Sequence, residues 1–578
     1  MLLPKPVEEA RNLRKEGNFV EALRVLESFL ATLKPNQRAE KIACLNEQSH
    51  CLWRTGHYVD AEARAQEALT LANQSQTNIF GQGEALSNLG NIYRAMGKLS
   101  QAEDFEQRSL SLREELGNPE DIAASLNNLG SIYWQKGELD RAEEFYRRSL
   151  SIRETLGKPH DIASTLNNLG LVYLWLGKLD HSEKIYKRAL TLFERAGNPQ
   201  DIAKCLNNLG LLYQQQGKLD LAEKAFQRAL NLGEQLGNLQ DVARYLNNLG
   251  ITYSQQGRFD NAEEYLLQSY TLKKKIGNPL DIATSLINLG EVCVQRGDLN
   301  RAAEYYHQIL ALKEQLTNFG IIAMTFNNLG VVYWQQGQLE QAEEVLQQAL
   351  VIREEIGNPR DIASSRYQLI RVMLSSGSLE RAAAESDRLV QLVHDSEHPE
   401  TAVRHSLVTS LLKFHQGNLR EALTLAQQAR IQAEEIPHFG LTIDAMQLLI
   451  QILLQLYLFG EEEEHKTQCE TLVQELEQLS KRERLHGIYV QSILVQGLLK
   501  RATFHLQEAA GLFERAELLA EERGIHPVAL QAHKELNKLH KQVAKLQKLQ
   551  QAAPKSYDQK QLEEIITYIQ KMQKLVKD

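Results

Sequence analysis

Between Asp121 and His160 the apolar or small residues Leu126, Leu129, Gly130 and Tyr133 fall at i, i+3, i+4 and i+7. That spacing gathers them on one face of a helix, and polar residues occupy the remaining positions. A second set, Ala142, Phe145, Tyr146, Ser149, Leu150 and Ile152, predicts the inner face of a second helix. Gly137 separates the two and Gly157 ends the second, each suited to the left-handed backbone of a helix terminus. In sister segments the junction reads Gly-Asn-Pro, as in Gly117-Asn118-Pro119, with Asp121 close behind. Asn is a good N-cap, Pro fits the first turn, and an acid favours the positive end of the helix. The pattern predicts a helical hairpin with punctuated ends, its helices closest at the small residues Gly130 and Ala142.

The hairpin recurs. Leu-Gly stands at Leu89-Gly90, Leu129-Gly130, Leu169-Gly170, Leu209-Gly210, Leu249-Gly250, Leu289-Gly290 and Leu329-Gly330, 40 residues apart each time. A glycine follows seven residues later, from Gly97 to Gly337 and on to Gly377 and Gly417. An alanine comes five residues after that, with Ser182 the one exception between Ala102 and Ala382. One such helix pair cannot bury its apolar face alone, so neighbours must stack and the core grows along one dimension. The 578 residues therefore predict one long array instead of several globular domains.

Gly130, Tyr133, Ala142, Tyr146 and Ser149 in one unit, and Gly210, Tyr213, Ala222, Phe226 and Ala229 in another, resemble the tetratricopeptide repeat (TPR). The usual TPR period is about 34 residues, and the longer unit with Leu-Asn-Asn-Leu-Gly looks most like the arrays of kinesin light chain and the Pins-type adaptors. The fold class implied is all-α: a right-handed superhelical solenoid of about thirteen antiparallel helix pairs with a C-terminal helical cap. Four segments are expected: divergent units over 1–81, the regular array over 82–361, divergent TPR-like units over 362–524, and a cap or tail over 525–578. In that last segment a long helix is expected from Val528 to Gln550 and a final one from Leu562 to Val576.

Composition narrows the function. The mean hydropathy of -0.39, and the lack of an apolar run of about 18 residues, predict no membrane span. The first residues show no secretory signal pattern. Five scattered cysteines without a C-x-x-C pair suit a reducing compartment, so the chain is expected to be cytoplasmic. The net charge of -9 argues against nucleic acid as partner. Ten lysines against five acidic residues from Ile525 onward make the tail basic. A terminal cap explains it, and a helix for anionic membrane or nucleic acid is the other reading.

Catalytic patterns are missing. Gly97-Lys98-Leu99-Ser100 is a repeat turn, not a phosphate loop, and no H-E-x-x-H occurs. His394 and His398 have i, i+4 spacing, but Pro399 argues against one helix running through both. Cys44 and Cys51 share a predicted buried face, and Glu461–Glu464 with His465 suggest a solvated turn. No enzyme activity, cofactor or metal is expected.

Surface recognition remains. The resemblance implies that the first helix of each pair lines the concave face and that ligand contacts flank the buried stripe. One row there is Asn127, Asn167, Asn207, Asn247 and Asn327; a second is Asn88, Asn128, Asn168, Asn208, Asn248, Asn288 and Asn328. Further along lie Leu171, Leu211 and Ile251, then Trp134 and Trp334, then Trp175, Gln215 and Gln255. An amide offers donor and acceptor together, so such rows suit the backbone of an extended peptide, with apolar neighbours selecting its side chains. The second asparagine row also fits bonding between neighbouring helices. Only Arg94, Lys204 and Arg244 fall near the face, too few to form a carboxylate clamp. The expected function is a non-enzymatic scaffold or adaptor gripping a partner peptide; the alternative is a peptide-sensing regulator acting on a separate effector chain.

Overall fold

A computed structural model describes residues 4–15, 17–74, 78–395, 398–436, 439–459, 463–482, 486–503, 505–522 and 526–552. Among these are 27 α-helices and no strand. They divide into two compact units, Met1–Gly237 and Asn238–Asp578. In the first unit six helix pairs follow one another, from Lys5–Lys15 with Phe19–Thr32 to Pro199–Gln215 with Leu219–Leu236. The second holds seven, from Leu239–Gln255 with Phe259–Ile276 to His486–Ala502 with Leu506–Glu522, and a closing helix, His526–Ala552. Thirteen pairs match the sequence expectation. The final helix expected at Leu562–Val576 lies outside the described residues.

The junctions form as their residues dictate. Gly137 and Gly157 take φ values of +80° and +70°, a conformation that costs any other residue. Asn118, Asn198, Asn278 and Asn358 each accept a backbone N–H of the following helix, with proline in its first turn. Lys158 stands for the capping Asn at one junction and Leu239 for the proline at another, and a third departs furthest. Thr317-Asn318-Phe319 replaces Gly-Asn-Pro, Asn318 caps nothing with its side chain, and the preceding helix stops early at Ala311 before a 3-10 turn.

The repeated Leu-Gly has a packing cause. A Cβ on Gly130 would stand 2.8 Å from the ring of Tyr146; on Gly210, 2.6 Å from Phe226; on Gly330, 2.5 Å from Leu346. The first helix thus gives up a side chain so that the large residue sixteen positions later can lie flat against its backbone. Ser182, the departure from alanine, is buried and donates to the Gly170 carbonyl at 2.8 Å. Between the early repeats, the glutamate after the alanine reaches the next unit's tyrosine: Glu62 accepts from Tyr93 at 2.6 Å, Glu103 from Tyr133 at 2.5 Å and Glu143 from Tyr173 at 3.2 Å. Arg153 crosses the other junction, donating to the Asp161 carbonyl at 2.8 Å and Thr165 Oγ1 at 2.7 Å.

Within each unit most successive first helices touch one another (Phe439–Leu458 and His486–Ala502 are the exception), whereas second helices of neighbouring pairs make at most stray contacts. The first helices therefore form the inner side of the curve. The sequence's most apolar helix, Phe439–Leu458, contains a stretch, Gly440–Leu458, long and apolar enough to cross a membrane, which the opening composition argument did not anticipate. Over half of that stretch is buried, with Leu449, Ile452 and Leu453 in the core, so here it is a core helix. Its partner begins at Glu463, so Glu463, Glu464 and His465 belong to a helix and not to the expected turn. Glu461 lies outside the described residues.

Candidate functional site

The asparagine pairs sit near the middle of each first helix, flanking its buried stripe. The two rows are not independent. Asn168 Nδ2 donates to Asn127 Oδ1 at 3.4 Å and Asn208 Nδ2 to Asn167 Oδ1 at 3.1 Å. In the second unit Asn288 Nδ2 donates to Asn247 Oδ1 at 2.9 Å. Each bond runs 41 residues back, from the second asparagine of one repeat to the first of the repeat before. At the ladder's start Asn128 donates to Ser87 Oγ at 3.3 Å and Asn88 to the Asn46 carbonyl at 2.8 Å. Toward its end Asn327 Oδ1 accepts from Ser365 at 3.3 Å and Arg353 at 3.4 Å, because Tyr367-Gln368 replaces the next pair. Asn328 bonds the Tyr306 hydroxyl, and Asn207 and Asn248 have partners within the fold.

Depth varies along the rows. Asn207, Asn247 and Asn327 are buried, whereas Asn127 and Asn167 are half-buried. The oxygens of Asn127 and Asn167 are taken by the ladder, but among the described residues their Nδ2 groups donate to no protein atom. What the inner face of the first unit presents is therefore a pair of donors on two successive repeats, Asn207 Nδ2 being taken by Asn208 Oδ1 at 3.5 Å. Such groups match carbonyl acceptors spaced along an extended chain.

The apolar positions lie beside the rows. Leu171, Leu211 and Ile251 are half-buried, as are Trp134 and Trp334, and Gln215 and Gln255 are exposed. Trp175 stands 66% exposed, far beyond what packing would leave for so large a ring. Trp334 is more constrained: its Nε1 donates to Ser375 Oγ at 2.9 Å, and the Arg371 guanidinium lies 4.4 Å over its ring.

Charged groups that the repeat pattern concealed also sit among these helices. Glu106 is fully buried at the register of Tyr146, Tyr186 and Phe226, and accepts from Ser87 Oγ at 3.1 Å. Burial pushes its carboxyl up, opposed by Arg113, Ser125, Ser87 and Asn128. Arg11 bridges Glu47 at 2.9 Å and Glu84 at 2.5 Å. For Glu106 the sequence signal was the break in register itself: an acid where sister repeats hold a ring or a leucine. Of the basic residues expected near the face, Arg244 pairs with Asp241 at 3.2 Å, and burial lowers the pKa of Arg94.

All five cysteines are buried, and desolvation holds the thiols of Cys44, Cys51, Cys205 and Cys469 at about 12, suppressing the nucleophilic thiolate. Cys44 and Cys51 are core residues, as their spacing predicted. His398 is the N-cap of Pro399–His415, so it shares no helix with His394, whose side chain lies outside the described residues. Among the described residues no three His, Cys, Asp or Glu gather as a metal site. A cavity of about 420 Å³ opens among Pro4, Phe29, Ile42, Phe80 and Gly81, at the N-terminal ends of first helices and away from the asparagine rows.

Comparisons with known proteins agree with the repeat. Solved structures similar to the chain include BtubC (BKLC) from P. vanneervenii, at 26% identity, TM-score 0.34, covering 38% of this chain and 91% of that one. The apo quorum sensor NprR from B. thuringiensis is 15% identical, with TM-score 0.46, covering 60% and 97%. A signal-transduction ATPase with a tetratricopeptide-repeat sensor from Pyrococcus horikoshii is 15% identical, with TM-score 0.44, covering 57% and 51%. No curated protein matches the sequence. The family described as tetratricopeptide repeat matches residues 81–155 and 161–235. The family described as MalT-like TPR region matches residues 238–546, more than half of the chain. With punctuated helix pairs, a 40-residue period and these matches in hand, the chain belongs to the tetratricopeptide-repeat proteins, in the MalT-like TPR family.

Proposed function

We propose that the protein is a non-enzymatic scaffold or adaptor, cytoplasmic, that grips an extended segment of a partner protein along the inner face of the regular repeats of its first unit, residues 82–237. The observation that carries the reading is the donor pair: Asn127 and Asn167 keep their oxygens in the ladder and leave their amide N–H groups unused among the described residues. Buried or half-buried polar groups ordinarily find partners, and a partner's backbone carbonyls supply them without demanding a particular sequence. Leu171, Leu211 and the exposed Trp175 add apolar surface where side chains are chosen.

The test uses Asn127→Asp/Asn167→Asp. A carboxylate still accepts the ladder bond from the next repeat but cannot donate, so the fold is kept and the proposed contact is lost. Affinity purification from native lysate, with mass spectrometry, compares this variant with wild type after circular dichroism shows equal helicity. A partner held by wild type and lost by the variant supports the groove. A partner retained by both places binding elsewhere.

A further inference from the structure

The inner face of the second unit carries two charges that the fold leaves uncompensated. Glu291 occupies the register of Ser131, Leu171, Leu211, Ile251 and Val331; Arg371 holds the same register 80 residues further, two repeats along. Glu291 is exposed and makes no hydrogen bond or ion pair among the described residues. Arg371 makes no ion pair among the described residues either: it lies over the rings of Trp334 at 4.4 Å and Tyr367 at 5.4 Å and touches Gln368 Oε1 at 3.4 Å. Charges nearby are paired, Arg244 with Asp241 at 3.2 Å, Arg296 with Glu263 at 2.6 Å, and Arg404 with Glu400 at 3.1 Å. Between the two free charges lie Val331 and the ring of Trp334, both half-buried.

We infer that this face takes a partner segment bearing a basic side chain and an acidic side chain about six residues apart, the basic one at Glu291 and the acidic one at Arg371, with apolar residues between. The spacing follows from packing. Adjacent first helices touch, and touching helices lie about 8–10 Å apart, so two repeats separate the charges by roughly 20 Å. An extended chain advances about 3.3 Å per residue, and six residues cover that span. Although its side chain reaches solvent, the surrounding inner-face helices desolvate the Glu291 carboxyl enough to push it above its ordinary range, so a ligand cation would be favoured there. Arg371, stacked on two rings, is already fixed in orientation, so a carboxylate meets a donor that has little freedom to lose. Charge pairs of this kind select among partners more than they drive affinity.

This rests on the peptide-groove reading, and the experiment separates the two. The full chain is panned against a phage-displayed library of random dodecapeptides, and affinities of the selected peptides are measured by fluorescence polarisation. Val331→Asp serves to block the groove, after its helicity is checked. The expected result is peptides with Lys or Arg and Asp or Glu about six apart. These weaken about tenfold on Glu291→Lys and recover when the peptide's own basic residue becomes Glu, with the mirror result for Arg371→Glu. Peptides lost on Val331→Asp but indifferent to both charge reversals overturn the charge inference and leave the groove standing. Peptides that ignore Val331→Asp but weaken on Asn127→Asp/Asn167→Asp overturn this inference and leave the groove reading standing; peptides that respond to neither variant overturn both.

Discussion

Replacing Gly210 by alanine tests the packing that spaces the repeats. In an exposed helix the change gains about 1 kcal/mol, because glycine is the poorer helix former. Here the new Cβ would stand 2.6 Å from Cε1 of Phe226 and 2.8 Å from two further ring atoms. Phe226 is fully buried, so the ring has nowhere to go. Overpacking of that kind costs about 1–3 kcal/mol, and a contact this short belongs at the upper end, for a net loss of about 2 kcal/mol. Stability in a repeat array is local, so hydrogen exchange of the amides in Pro199–Leu236 is the suitable assay, with about 30-fold faster exchange expected. The sign should then reverse in the Phe226→Ala background, where the ring is gone and only the helix-propensity gain of about 1 kcal/mol remains. Faster exchange from Gly210→Ala in both backgrounds, or slower exchange in both, would refute the argument.

Other expectations are simpler to check. His160 is raised to about 9 by its bonds to Asp161 and Asp201, the latter at 2.8 Å, so this tie is present in full below about 6.5 and is lost as pH rises through 9; Asp201→Asn should lower the titration midpoint seen by histidine NMR. Glu291 is raised in the folded chain, so its ionisation costs stability above the ordinary carboxylate range; Glu291→Gln should raise the melting temperature at pH 7.5 and have no effect near pH 3. The five buried thiols should resist a disulfide reagent at pH 8 in the native chain and react fully once it is unfolded.

The hairpins were legible because their signals are local. Gly157 ends a helix and Asn118 starts one through bonds made within a few residues, and Leu126, Leu129 and Tyr133 declare one face by spacing alone. The Leu-Gly step was visible, but not its cause: spacing pointed to Ala142, whereas the atoms nearest Gly130 belong to the ring of Tyr146 across the hairpin. The bond from Asn208 to Asn167 could not be read, since it depends on how one repeat lies on the last; the sequence left both asparagine rows open to ligand or helix contact. Glu106 was missed because the pattern predicts a ring there, and its partner Ser87 comes from the preceding helix, while Arg113 lies two turns along its own. The helix at Glu463–Arg482 was hidden by a run of acids that reads as solvated turn, although its Cys469, Val473 and Leu476 fill the core.

The central claim is that the inner asparagine pair grips a backbone. A structure of the protein bound to a partner segment recovered by affinity purification tests it most directly. The account predicts backbone carbonyls of that segment within hydrogen-bond distance of Asn127 Nδ2 and Asn167 Nδ2, with the ladder bonds to Asn168 and Asn208 intact. A segment seated on the second helices, with both amides still facing solvent, would contradict it.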